Sequence, residues 1–178
     1  MATAARSGPR AHRIDFAPVS HPNLGLPPID RTAGFPAAAE RLRTVRGDLG
    51  RRALEATLQA DPALRERLGP TGLAHLLRDT EAWIEAIAQC LGAGDPSLMH
   101  PFADQVVAPY RRRRVSMDDL TRFAEGFRAA LPAVLDPREQ AAANEALDTA
   151  IKVFRWHRRL AGDARKRNRI LQAIYKGA

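Results

Sequence analysis

Leu73-Ala74-His75-Leu76-Leu77-Arg78-Asp79-Thr80-Glu81-Ala82-Trp83-Ile84-Glu85-Ala86-Ile87-Ala88-Gln89-Cys90-Leu91 decides the fold. Its apolar residues Leu73, Leu76, Leu77, Ile84, Ile87 and Leu91 recur at the spacing that lines one face of a helix. No breaker interrupts them. A helix with such a stripe needs neighbours to cover it, and three further stripes follow. They are Leu98, Phe102, Val106 and Tyr110; then Leu120, Phe123, Phe127, Leu131 and Val134; then Leu147, Ala150, Ile151 and Phe154.

The boundaries between stripes carry their own signals. Asp61-Pro62, Asp95-Pro96 and Asp136-Pro137 each pair an N-cap carboxylate with a proline at the first helical position, where the missing N–H costs nothing. Three helices are expected to start there. Glu139, three residues after Asp136, and Asp119, three after Ser116, complete the reciprocal pattern of a capping box. With the helical stretch 37–60 and a last basic segment beyond Gly162, the reading is an all-α bundle of six or seven helices with no strand.

The first 35 residues do not belong to that pattern. Pro9, Pro18, Pro22, Pro27 and Pro28, with Gly8, Gly25 and Gly34, leave room for neither helix nor strand. Residues 1–35 are therefore expected to form an irregular, extended or disordered arm, 36–162 the helical domain, and 163–178 a basic amphipathic tail.

Charge divides along the same lines. The net charge is +8. Residues 1–35 hold four arginines against Asp15 and Asp30, a balance of +2, and residues 155–178 hold eight cations against Asp163, a balance of +7. The body between them is left at −1. A near-neutral body with basic ends suits electrostatic docking to a partner.

No stretch reaches the length of apolar residues that spans a bilayer, and Met1 to Arg6 lacks the apolar run of a signal peptide. The single cysteine, Cys90, excludes an internal disulfide and sits in an apolar run, as a buried packing residue does. A cytoplasmic protein is expected.

Two basic clusters are candidate partner-binding sites. Arg111, Arg112, Arg113 and Arg114 close one helix, where the macrodipole favours cations, yet four together exceed that need. Arg165, Lys166, Arg167 and Arg169 precede Ile170, Leu171, Ile174 and Tyr175, which fall on one helical face. Such a tail could dock in a partner's groove while its cations steer the approach. The same clusters could neutralise phosphates, so a nucleic-acid or ribosome-associated protein is the alternative reading.

Catalytic chemistry finds little support. There is no glycine-rich phosphate loop, no nucleophile elbow and no helix presenting paired carboxylates with histidine. His12, His21, His75, His100 and His157 form no zinc-type pair. A lone histidine can hold haem iron in an all-α fold, for which His100 or His157 would be the candidates. His157, beside Trp156, reads more simply as a packed histidine bonded to a backbone carbonyl.

From about Leu73 to Phe154 the chain resembles the N-terminal sensor domains of the RsbR family of stressosome proteins. The resemblance is carried by Asp79-Thr80-Glu81-Ala82-Trp83, by the Gly94-Asp95-Pro96 turn, by Val107-Ala108-Pro109-Tyr110-Arg111-Arg112-Arg113-Arg114-Val115-Ser116-Met117-Asp118-Asp119-Leu120, and by the break from Leu131 to Asp136. It implies a globin-like helical fold that usually lacks haem, dimerises, and serves as a sensory or protein-interaction module. Relatives carry an output domain where this chain has its basic tail. The expectation is therefore a non-catalytic adaptor or accessory subunit of a protein assembly.

Overall fold

The computed structural model describes the backbone of residues 34–167 and side chains as far as Ala161. Six helices run in order: α1 (Pro36–Thr44), α2 (Arg46–Ala60), α3 (Leu64–Ala93), α4 (Met99–Arg112), α5 (Met117–Ala130) and α6 (Pro137–Arg167). Single 3-10 turns, Pro96–Leu98 and Leu131–Ala133, lead into α4 and out of α5. Among the described residues there is no strand, and the chain is an all-α bundle.

The core forms around Trp83, which is 0% exposed. Its ring lies 5.4 to 5.8 Å from the rings of Phe102, Phe123, Phe127 and Phe154, so α3, α4, α5 and α6 meet on one aromatic residue. The indole N–H points at the buried Tyr110 hydroxyl at 3.4 Å. Burial of that hydroxyl pushes its pKa up.

Two glycines set how closely the helices approach. A Cβ on Gly126 would stand 2.0 Å from Thr57 Oγ1 and 2.4 Å from the Ala53 carbonyl oxygen, so α5 crosses α2 almost backbone to backbone. A Cβ on Gly50 would come within 2.3 Å of Thr80 Oγ1 where α2 meets α3. Small residues at a crossing bring the axes together and let larger side chains interlock on either side.

The local start signals are met where the partner is local. Ser116 Oγ accepts from the Asp119 amide at 3.1 Å while the Asp119 carboxylate accepts from the Ser116 amide at 3.2 Å. Asp136 and Glu139 repeat this reciprocal arrangement at the head of α6. Asp95 caps the turn before α4 through the Ser97 amide, 2.8 Å away.

Asp61 behaves differently from the expected N-cap. Its amide bonds to the Thr57 carbonyl and closes α2, and α3 begins only at Leu64. The Asp61 carboxylate turns instead to Arg67 at 2.6 Å and Arg122 at 3.2 Å. Arg67 also reaches the buried Asp119 at 2.7 Å. Two charge-assisted bonds to guanidinium outweigh one to a backbone N–H. Shortly afterwards α3 breaks at Gly69, whose φ of +64° suits glycine, and restarts at Pro70.

α4 buries a stripe one residue away from the one expected. Met99, Ala103 and Val107 join Tyr110 in the core, Phe102 and Val106 are half-covered, and Leu98 is 44% exposed. Both stripes are apolar, and α4 packs chiefly along α6 rather than α3. The neighbour selects which stripe is buried.

α6 buries Ala143, Ala146, Leu147, Ala150, Ile151 and Phe154 on one face. The helix then runs through Gly162, the expected boundary, without a break as far as Arg167. The start of the basic tail therefore continues the longest helix of the body. The N-terminal arm up to residue 33 and residues 168–178 lie outside the described residues.

Candidate interaction site

Contiguous residues of a helix are rotated by about 100° from one another, so four consecutive arginines cannot share a face. Arg111 turns to α6 and donates to the His157 carbonyl oxygen at 3.0 Å. Arg113 turns to α3, bonds Asp79 at 2.5 Å and lies 5.9 Å above the Tyr110 ring. Arg112 and Arg114 are exposed. Arg114 adopts φ +62°, the left-handed conformation in which a helix commonly ends and glycine is usual. The quartet divides into two struts between helices and two outward cations.

The second cluster is only partly described. Arg165, Lys166 and Arg167 lie on the last turns of the α6 backbone. Arg169, Ile170, Leu171, Ile174 and Tyr175 lie outside the described residues.

Between these clusters the fold creates a surface that was not singled out in the sequence. After Phe154, α6 stays covered only on the side of His157, which packs against α4. Arg155, Arg158 and Arg159 are exposed, Trp156 is 49% exposed and Leu160, one turn later, is 45% exposed. From Thr149 to Gly162 the helix holds Lys152 and three arginines and no acidic residue. The signal was present, because Trp156 lies about 200° around the helix from Phe154. An indole there cannot reach the core that Phe154 enters.

α4 supplies the opposite wall. His157 Nε2 lies 2.8 Å from one oxygen of Asp104, and His100 Nδ1 lies 3.4 Å from the other. His157 was expected to bond a backbone carbonyl. It is instead the connection from α6 to the Asp104 carboxylate, and its own carbonyl is the acceptor for Arg111. Trp156 packs edge-on against the His157 ring with centroids 4.7 Å apart. Together His100, Asp104, Lys152, Val153, Trp156 and Arg159 line an open cleft of about 520 Å³ between the two helices.

The geometry also bears on a haem. His100 and His157 direct ring nitrogens at a surface carboxylate, while the centre of the bundle is filled by Trp83 and four phenyl rings. These histidines do not fit an axial ligand to a haem held in the core. Among the described residues no three His, Cys, Asp or Glu side chains form a metal-holding group. Cys90 is buried, and that burial, reinforced by the Asp95 charge, pushes its thiol up to about 11. Such a thiol stays protonated at neutral pH and packs as a small apolar residue.

No helix among the described residues is long and apolar enough to cross a membrane. No protein-family model matches the chain, and no curated protein matches it.

Proposed function

We propose that this chain is a non-catalytic protein-interaction module of the globin-like, RsbR-type sort, an adaptor or accessory subunit that docks through the outer face of α6 and the basic run continuing it. The observation that carries this reading is the half-exposed Trp156–Leu160 pair amid four cations, of which, among the described residues, only Arg158 is ion-paired, to Asp118 of α5 at 3.0 Å. Burying a large apolar side chain contributes about 1.5–3 kcal/mol, so an exposed indole and leucine one turn apart offer a ready anchor. Tryptophan and arginine are also the residues most enriched where interfaces concentrate their energy. The placement of Trp83, from the Asp79–Trp83 motif, at the centre of the core supports the family resemblance.

The partner on this reading is acidic. A second copy pairing symmetrically through the same face would set four cations against four, which opposes the homodimer that the resemblance implies. Nucleic acid is the second reading, favoured by the same cations beside an indole on which a base could stack.

Affinity purification of the tagged chain from its native cell, with and without nuclease, tests both. Wild type should retain a protein partner after nuclease treatment, and Trp156→Ser with Leu160→Ser should lose it. Recovery of the same partner by the double variant would refute the reading. Retention abolished by nuclease and falling log-linearly with salt would establish the second one.

A further inference from the structure

Resting on that reading, we infer that the α4–α6 cleft is the seat of a partner's amphipathic helix carrying two acidic residues seven positions apart with an apolar residue between them. Lys152 and Arg159 are themselves seven residues apart. At a rise of 1.5 Å per residue this places their backbones about 10.5 Å apart along α6, two turns of helix. A partner helix lying along the cleft presents carboxylates at that same interval when they are spaced i and i+7. Trp156 stands between the two cations, and Val153 lies on the same wall. A leucine three residues after the first acid meets both.

The opposite wall sharpens the specificity. Asp104 is the one carboxylate lining the cleft, and it is occupied by His157 at 2.8 Å and His100 at 3.4 Å. Acidic groups of the partner are thus drawn to the α6 wall, while a basic helix would face Lys152 and Arg159 at close range. Like-charge opposition of this kind excludes wrong partners more strongly than attraction selects the right one. The α6 wall of the cleft, from Thr149 to Arg159, spans more than two turns of helix.

The test uses the full chain and a synthetic helical peptide containing Glu-x-x-Leu-x-x-x-Glu, with alanine and glutamine elsewhere, followed by fluorescence anisotropy. Controls are the same peptide with both Glu replaced by Lys, a version with the two Glu four residues apart, and a fluorescent oligouridylate. The i, i+7 peptide should bind on the order of tenfold more tightly than either peptide control. Trp156→Ser should weaken it on the order of tenfold.

Lys152→Glu with Arg159→Glu should invert the preference and bind the Lys peptide, a rescue that an unfolded variant could not show. Equal binding of all peptides, or binding unchanged in the charge-reversed variant, overturns the inference. Tighter binding of oligouridylate with a steep salt dependence assigns the cleft to a phosphate backbone instead. If the peptide fails while Trp156→Ser with Leu160→Ser still loses the cellular partner, the cleft assignment is wrong and the interaction reading stands. If the cellular partner is retained by that double variant, the reading itself falls.

Discussion

The two parts of α6 differ in what covers them. Up to Phe154 it is a core helix, with Ala143, Ala146, Leu147, Ala150, Ile151 and Phe154 sealed against its neighbours. From Arg155 onward the same unbroken helix exposes Trp156 and Leu160 and carries Arg155, Arg158 and Arg159 with no acidic residue of its own before Asp163. Local propensity does not distinguish the two parts, since both are helical and both contain large apolar residues. The difference lies in what stands opposite. One part faces α3, α4 and α5, and the other meets α4 through the His157–Asp104 bond and otherwise borders an open cleft.

Cutting into the buried part should break the comparison most severely. Phe154→Ala removes a ring that is 0% exposed and touches Trp83, and should cost about 3–5 kcal/mol in urea unfolding. A loss below 1 kcal/mol would mean that this half of α6 is not part of the core.

Overpacking where the body is tightest comes next. Gly126→Ala forces a methyl group into Thr57 Oγ1 and the Ala53 carbonyl, and should cost about 1–3 kcal/mol by the same measurement. It should leave peptide binding at the α6 cleft unchanged.

Acid sharpens the comparison further, because the body's ion pairs titrate and the α6 overhang has no carboxylate of its own before Asp163. The bond from Arg67 holds Asp61 below the usual carboxylate range, and the bond from Arg43 does the same for Glu85. A carboxylate whose folded value lies below its unfolded value adds stability above the ordinary range and loses it as the pH falls through that range. Thermal scans should therefore show the melting temperature falling steadily below about pH 5, and Asp61→Asn should flatten that fall.

The smallest effect belongs to the exposed part. Trp156→Ser should change stability by no more than about 0.5 kcal/mol, the range of surface substitutions away from caps and core. A large loss would show that the indole is holding the body together and would remove it as a docking anchor.

The legible features are those whose partners lie within a turn. Ser116 with Asp119, Asp136 with Glu139, and Asp95 with Ser97 were readable because a cap and its amide are three residues apart at most. Asp61 offered the same local signal, yet its carboxylate was taken by Arg67 and by Arg122, which is distant in sequence. The stripe on α4 failed for a related reason. Leu98, Phe102 and Val106 parallel Met99, Ala103 and Val107 one residue away, and only the position of α6 selects between them.

Sequence alone determined that this protein is helical, where most of its helices begin, and that its cations gather toward the C-terminal end, because helix spacing, caps and charge are properties of neighbouring residues. Tertiary structure decided that Arg111 and Arg113 are spent as struts, that Asp104 is shared by two histidines, and that this carboxylate stands across a cleft from Lys152, Trp156 and Arg159. Whether a side chain is buried, paired or offered to a partner depends on the helix opposite it, and no local spacing encodes which helix that will be.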